Sequence, residues 1–249
     1  MMPGHAAEKG EKIVRRKLSD LVLERLLEMI RSREIAPGEL MPSERDLMER
    51  FGVGRPAVRE ALQSLGTMGL INISHGERSR VTPLSAETAI RQIDGVAQLL
   101  ISSSPDNLEH LKSARRFFEI GMARIAASRV KPTDIGELRG LVEAQRAALG
   151  DSQAFVAADI AFHRKIARLS GNPIFVAVSE AMLGWLFQYH AEMLLWSGAE
   201  EKTLEEHAII VDRLAECEAD GAAAAMGAHL DRSGTLYRLN GTEEISKTN

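Results

Sequence analysis

The chain has one cysteine, few aromatic residues and no long apolar run. Cys217 has no second thiol with which to form an internal disulfide, which favours the reducing cytoplasm. No run of eighteen apolar residues is present, so we expect no membrane association, and the N-terminus lacks the apolar core of a signal peptide. Aromatic residues make up only 4%, whereas Ala, Leu, Glu and Arg abound, a composition that favours helices. We therefore expect a mainly α-helical cytoplasmic protein.

Charge is distributed unevenly along the 249 residues. The net charge of −4 by itself argues against a nucleic-acid-binding protein. However, residues 1–83 contain 14 Lys and Arg against 12 Asp and Glu, whereas residues 84–249 contain 17 against 23. A slightly basic first part and an acidic second part indicate two domains with different tasks.

The first 17 residues show no apolar periodicity and are interpreted as a flexible basic arm. Arg15, Arg16 and Lys17 at its end are the residue types that follow a DNA backbone or enter a minor groove. The alternative is a solvated tail with no binding role.

Residues 18–83 show the pattern of three helices followed by a hairpin. Apolar residues at helical spacing predict helices over 19–33, 43–51 and 55–68, and Ser43 with Asp46 has the pattern of a capping box. A three-residue glycine-containing corner joins the second helix to the third. Alternating residues then predict strands over 70–74 and 80–82. This order predicts a winged helix-turn-helix, a DNA-binding fold.

Residues 84–240 show only helical patterns and predict an antiparallel bundle of six or seven helices, followed by a tail at 241–249. The predicted helices lie near residues 85–102, 106–129, 132–149, 152–170, 174–197, 200–219 and 221–239.

Three arginines are placed to read or grip DNA. Arg55 and Arg59 lie four residues apart on the exposed face of the third helix, where an arginine can pair with guanine or bind phosphate. Arg45 lies near the start of the preceding helix, a usual position for phosphate contacts. The alternative is that these arginines form surface ion pairs with nearby carboxylates, namely Glu44, Glu49 and Glu60.

The segments Pro-Ser-Glu-Arg-Asp-Leu at 42–47 and Val-Gly-Arg-Pro-Ala-Val-Arg-Glu-Ala-Leu at 53–62 closely resemble the GntR family of bacterial transcription regulators. The resemblance covers about residues 19–83 and departs from the family at Gly54, where many relatives carry Ser or Thr. It implies DNA contacts for Arg45, Arg55 and Arg59, and for the wing tip at His75 and Gly76, which would enter the minor groove. Gly54 and Pro56, at the start of the third helix, are also expected in the DNA-binding surface, where small residues allow close approach.

Four residues of the second part could converge on a divalent metal. Asp159 and His163 share one helical face, and His207 and His229 each lie on an apolar stripe of a later helix. The alternative is that each histidine is an ordinary core or surface residue. The Asp-x3-His pair, followed by histidines 44 and 22 residues further on, resembles the FCD effector domain of this family. The resemblance implies that all four residues are metal ligands. Three imidazoles suit zinc first, with nickel or manganese as alternatives.

The same resemblance places Arg115 and Glu119 in the effector cavity. An arginine there would hold the carboxylate of an organic acid through two hydrogen bonds. The alternative is a buried ion pair between Arg115 and a carboxylate such as Glu119. Asn172 would either contact the same ligand or cap the helix that follows it, and the cap is the preferred interpretation.

Residues 16–19, 30–34, 76–81 and 171–175 resemble the branch of the family that represses genes of sialic-acid catabolism. The resemblance implies a homodimeric repressor of operator DNA whose effector is a sialic-acid-like sugar acid. A regulator with a purely structural metal and no effector is the alternative. A metal-dependent enzyme is disfavoured because the chain has no metalloprotease motif, glycine-rich phosphate loop or nucleophile elbow.

Overall fold

The computed structural model describes residues 16–73, 78–190 and 200–236, with side chains except at 188–190 and 235–236. The chain forms two compact units, Met1–Leu84 and Ser85–Asn249. Most of the N-terminal arm, the wing tip at His75 and Gly76, the end of the helix predicted over 174–197 and the tail at 241–249 lie outside the described residues.

The N-terminal unit is a winged helix-turn-helix, as the sequence predicts. Its elements are α1 (Leu18–Arg31), α2 (Glu44–Phe51), α3 (Arg55–Thr67), β1 (Ile71–Asn72) and β2 (Arg80–Val81). The strands pair antiparallel, with Ile71 opposite Val81 and Asn72 opposite Arg80.

Local chemistry determines where α2 begins and where it ends before the corner to α3. The Ser43 hydroxyl accepts a hydrogen bond from the Asp46 amide and the Asp46 carboxylate accepts one from the Ser43 amide, so the predicted capping box begins α2. Gly52 ends the helix with a φ of 64°, a left-handed conformation that glycine adopts without strain. Leu26, Leu47, Val58 and Leu65 are fully buried and join the three helices in one core.

The C-terminal unit consists of helices throughout its described residues, as predicted. They are α4 (Ala86–Arg91), α5 (Asp94–Ser102), α6 (Pro105–Ala127), α7 (Pro132–Ala147), α8 (Ser152–Leu169), α9 (Pro173–His190), α10 (Glu200–Ala215) and α11 (Ala219–Leu236).

The single helix predicted over 85–102 is wrong, because the structure has two helices, α4 and α5. Gln92 and Ile93 keep near-helical backbone angles but interrupt the hydrogen-bonded ladder. After the break, the Asp94 carboxylate accepts a hydrogen bond of 2.9 Å from the Trp185 indole of α9. Gly95 is a poor helix former. Apolar periodicity does not detect so short a break, because the apolar residues continue at helical spacing across it.

Helix α6 packs against α8, α9 and α11, and α7 packs against α8 and α10. The resulting core contains Leu138, Phe162, Leu204 and Ile210, all fully buried. The inward faces of α8, α10 and α11, which carry the predicted metal ligands, therefore adjoin this apolar core. None of the helices in the described ranges has the combination of length and apolar character needed to cross a bilayer.

Candidate DNA-binding surface and metal centre

The start of α3 carries the predicted DNA-reading residues. Gly54 is the N-cap in extended conformation, Arg55 is the first helical residue and Pro56 follows it. Proline is favourable there because the amide hydrogen that it lacks would have no helical partner. The start of the helix is thus set by local sequence, and Arg55 is placed at its exposed end.

Both arginines of α3 pair with one carboxylate of α2. Arg59 Nε lies 2.8 Å from Glu44 Oε1, and Arg55 Nε lies 3.6 Å from Glu44 Oε2. The expected alternative of surface ion pairs is therefore present for Glu44. Such exposed pairs contribute about 0–1 kcal/mol, and 60% of each arginine side chain remains exposed. Both guanidinium groups are accessible to an incoming phosphate or base.

Arg45 is the most exposed of the three predicted arginines, with 88% of its side chain accessible and Asp46 Oδ1 4.0 Å from its Nε. It lies in the first turn of α2, as expected. The wing-tip residues His75 and Gly76 lie outside the described residues.

The four predicted metal ligands come together in the C-terminal unit. Asp159 and His163 lie on α8, His207 on α10 and His229 on α11, and one ligand atom from each lies within 4.8 Å of all the others. The three histidines are 0–2% exposed, whereas 20% of the Asp159 side chain is accessible. The cluster could hold a metal ion, and Asp159 is its most exposed member.

The ring nitrogens of the cluster are spaced as ligands of one cation would be. His207 Nε2 lies 3.4 Å from His229 Nε2 and 3.5 Å from Asp159 Oδ1, and His163 Nε2 lies 3.8 Å from Asp159 Oδ2. Ligands about 2.1 Å from a tetrahedral zinc are roughly 3.4 Å apart. His163 Nε2 is also buried without a hydrogen-bond partner among the described residues. The donor set therefore fits a divalent cation.

The opposite nitrogens of two histidines are held by oxygen atoms. His207 Nδ1 lies 2.8 Å from the Gln145 side-chain oxygen, and His229 Nδ1 lies 2.9 Å from Glu206 Oε2. Each Nδ1 can donate its hydrogen to that oxygen, which leaves the Nε2 lone pair directed at the cluster. Two lone pairs 3.4 Å apart repel each other unless a proton or a cation lies between them. This arrangement favours cation binding.

Burial favours the neutral form of two of the histidines, His207 and His229. It lowers the pKa of His207 well below the usual 6.5, and it also lowers the pKa of His229. A neutral imidazole has the lone pair that a metal needs. Although burial opposes it, hydrogen bonds from His229 and Arg232 lower the pKa of Glu206 to about 2, so Glu206 is an anion that can accept the His229 proton.

Arg115 and Glu119 form a buried ion pair one helical turn apart on α6. Arg115 Nε lies 2.5 Å from Glu119 Oε1, and the side chains are 5% and 2% exposed. The other oxygen of Glu119 contacts His163 Nδ1. Burial would raise the pKa of Glu119, but the positive charge of Arg115 and the contact with His163 hold it far below its usual range. The structure therefore contains the ion pair that the sequence offered as the alternative to effector binding.

Asn172 caps α9, as preferred from the sequence. Its side-chain oxygen accepts a hydrogen bond of 2.9 Å from the Ile174 amide. Nothing in this contact directs the side chain to the metal cluster.

The sequence reasoning missed the residues that support the histidines, and one of them had a recognisable signature. Gln145 stands on the buried face of α7, in line with Ile135, Leu138 and Val142. A polar residue on an apolar stripe indicates a buried hydrogen-bonding role. Glu206 and Arg232 pair at 2.6 Å. Neither had such a signature, because neither interrupts an apolar stripe in the sequence.

Comparison with known proteins agrees with both units. Residues 18–81 match the model of the bacterial regulatory proteins of the gntR family, and residues 110–232 match the FCD domain. The HTH-type transcriptional repressor NanR of Cronobacter sakazakii is 39% identical over 221 residues, which cover 88% of this chain and 85% of that protein. The NanR repressor of Escherichia coli K12 is 38% identical over 235 residues, covering 94% and 89%.

Among solved structures, the Streptococcus agalactiae GntR protein has a similar fold. Its TM-score is 0.69 at 24% identity, with 86% of this chain and 98% of that chain covered. The chain belongs to the GntR family of bacterial transcription regulators, in the group that carries an FCD domain. It is therefore a DNA-binding transcription regulator and not an enzyme.

Proposed function

We propose that the chain is a dimeric repressor that releases operator DNA when a small organic acid binds at a metal centre in its C-terminal unit. The observation that carries this proposal is the buried cluster of Asp159, His163, His207 and His229, whose facing nitrogens favour a cation between them. The NanR repressors, which are 38–39% identical over most of the chain, support its role as a repressor.

In the DNA-bound state, Arg55 and Arg59 contact bases or phosphates from the start of α3, and Arg45 contacts phosphate from α2. Their exposure of 60–88% supports this assignment. Gly54 and Pro56 allow close approach of the backbone, and the wing tip at His75 and Gly76 contacts the minor groove. A single short helix buries too little surface for tight and specific binding, so two copies bind two half-sites.

Zinc is our first candidate for the metal, because three imidazoles and one carboxylate suit it, with nickel and manganese as alternatives. A bound divalent cation would supply coordination positions for a carboxylate or hydroxyl oxygen of the effector. Asp159, whose side chain is 20% exposed, marks the side from which such an acid reaches the cluster.

Elemental analysis of untagged protein purified without chelator tests the metal centre. We expect about one divalent metal per chain in the wild type, and none when His207→Ala and His229→Ala are combined. His110→Ala is the matched control, because His110 is an exposed histidine on α6 outside the cluster. Stoichiometric metal in the double variant, or metal-free wild type after growth with zinc, nickel and manganese, would contradict this assignment.

The proposed effector is a sialic-acid-like sugar acid, with Arg115 as the cationic group beside the metal. Arg115 is paired with Glu119, whose other oxygen contacts the proposed ligand His163, so a single carboxylate separates the guanidinium from the cluster. Glu119 holds the guanidinium in place. In this proposal Asn172 contributes through its cap of α9.

Replacing Arg115 alone would leave the buried Glu119 carboxylate without its counter-ion, which destabilises a protein strongly. The double variant Arg115→Gln with Glu119→Gln removes both charges and retains a possible hydrogen bond. Calorimetry with N-acetylneuraminate and with gluconate, on metal-loaded protein, separates the roles. We expect N-acetylneuraminate to bind the wild type and to bind the double variant at least about tenfold more weakly. If N-acetylneuraminate binds the wild type and the double variant with equal affinity, Arg115 is not the anchor. If neither acid binds the wild type, the sugar-acid assignment is wrong.

A further inference from the structure

Gln145 is a fully buried polar residue with two charged or polar partners in the cluster. Its side-chain oxygen lies 2.8 Å from His207 Nδ1, and its side-chain nitrogen donates a hydrogen bond of 3.1 Å to Asp159 Oδ1. It is 0% exposed and follows Leu138 and Val142 on the buried face of α7. A buried amide is costly unless its hydrogen bonds are made, and here both ends of the amide contact proposed metal ligands.

Asp159 determines which way the Gln145 amide points. A carboxylate accepts hydrogen bonds and donates none, so the NH₂ group must face Asp159. The carbonyl oxygen is then left for His207. The reversed amide would place oxygen against carboxylate oxygen and would be repelled.

The amide in turn determines which nitrogen of His207 carries the hydrogen. Because the Gln145 oxygen can only accept, Nδ1 of His207 must be the donor, and Nε2 keeps its lone pair. Nε2 is the atom that lies 3.4 Å from His229 Nε2 and 3.5 Å from Asp159 Oδ1. The imidazole is also fixed in plane, because the Phe162 ring stacks on it at 4.0 Å between centroids.

We infer that Gln145 is a positioning residue that orients His207 and Asp159 together and keeps His207 in the tautomer that can bind a metal. This inference rests on the metal centre of the proposed function. Glu206 has the corresponding relationship with His229 Nδ1 and is itself held by Arg232 at 2.6 Å. Gln145 differs from Glu206 because its uncharged side chain contacts two proposed ligands on two helices, Asp159 on α8 and His207 on α10.

The first measurement is made on chelator-treated wild type, without any metal. Long-range ¹⁵N–¹H correlation spectra at pH 8 report which nitrogen of each neutral histidine carries hydrogen, and the His207→Ala spectrum assigns the His207 signals. We expect His207 to be protonated at Nδ1. Protonation at Nε2 in the wild type would overturn the inference whether or not the protein binds metal.

The second measurement compares Gln145→Leu with Val142→Ala, a control on the same buried face of α7 whose apolar side chain cannot hydrogen-bond to a ligand. Competition with a zinc chelator should show affinity about 10- to 100-fold weaker in Gln145→Leu and near the wild-type value in Val142→Ala. Gln145→Glu should keep the Nδ1 hydrogen on His207 yet weaken zinc binding, since it loses the bond to Asp159. Wild-type zinc affinity in Gln145→Leu, or equal weakening in both α7 variants, would overturn the positioning role.

If the wild type binds no zinc, the proposed metal centre is wrong, but the tautomer of His207 in the wild type still tests the inference about Gln145. If Gln145→Leu does not fold, the inference is tested by the His207 tautomer in the wild type and by the zinc affinity of Gln145→Glu.

Discussion

The Glu44 carboxylate lies between Arg55 and Arg59, with its Oε1 atom 2.8 Å from Arg59 Nε and its Oε2 atom 3.6 Å from Arg55 Nε. One acid of α2 thus holds two arginines of α3 without DNA. An exposed pair of this kind is weak, so a phosphate or a guanine can replace the carboxylate as partner. The contact with Glu44 orients the two arginine side chains before DNA binds and does not prevent DNA binding.

We expect Arg55→Ala and Arg59→Ala each to weaken specific operator binding by about 1–3 kcal/mol. Neither should unfold the N-terminal unit, because both side chains are exposed. Fluorescence anisotropy at fixed salt measures the loss. Arg31→Ala is the control, since Arg31 lies at the end of α1 with 79% of its side chain exposed. Unchanged affinity in both α3 variants would refute their role in DNA recognition.

Gly54→Ser should stabilise the N-terminal unit by about 0.5–1 kcal/mol. Gly54 has φ −76° and ψ 158°, which serine adopts without strain, and an added Cβ has its nearest neighbour at 3.6 Å. The hydroxyl can cap α3 as Ser43 caps α2. Hydrogen exchange of the α3 amides measures the gain. Gly52→Ser is the contrasting control and should destabilise, because Gly52 has φ 64°. Loss of stability in Gly54→Ser would contradict the cap geometry.

Cys217→Gly should stabilise the C-terminal unit by about 1 kcal/mol. Cys217 has φ 55°, and the bonds from the Glu218 amide to the Arg213 carbonyl and from the Cys217 amide to the Leu214 carbonyl form a Schellman motif after α10. Thermal unfolding in reducing buffer measures the gain. Cys217→Ala removes the thiol but retains the strain, so a gain of equal size in that variant would assign the effect to the thiol instead.

The protein should be a dimer in solution, with a mass about twice the 27.3 kDa of the chain. Symmetric pairs of recognition helices match two half-sites about one DNA turn apart. Light scattering over a dilution series checks this expectation. A monomer at micromolar concentration, both with and without DNA, would contradict it.

The winged helix-turn-helix and the pairing of Asp159 with His163 could be predicted from the sequence because both depend on local spacing. Asp159 and His163 share a face by helical geometry alone. The positions of His207 and His229 came instead from resemblance, since no spacing rule brings three helices to one point. The break at Gln92 and Ile93 escaped prediction because the apolar residues continue at helical spacing across it, and the contact that follows it, from the Trp185 indole to Asp94, joins residues far apart in the sequence.

The supporting contacts were less predictable than the ligands. Glu206 and Arg232 are polar residues on otherwise ordinary amphipathic helices, and their roles appear only when α10 and α11 pack together. Arg115 was expected near the ligand cavity. In the structure it pairs with Glu119 and so neutralises the carboxylate that contacts His163.

The central claim is that an acid bound at a metal controls DNA binding, and the most direct test measures operator affinity in four states. Anisotropy with a DNA site selected from a random library is recorded for zinc-loaded and chelator-treated protein, each with and without saturating N-acetylneuraminate. A coupling of about 1–3 kcal/mol corresponds to roughly 5- to 150-fold weaker binding. We predict this loss only for the zinc-loaded protein with the acid. An unchanged affinity there, or an equal loss without metal, would contradict the account.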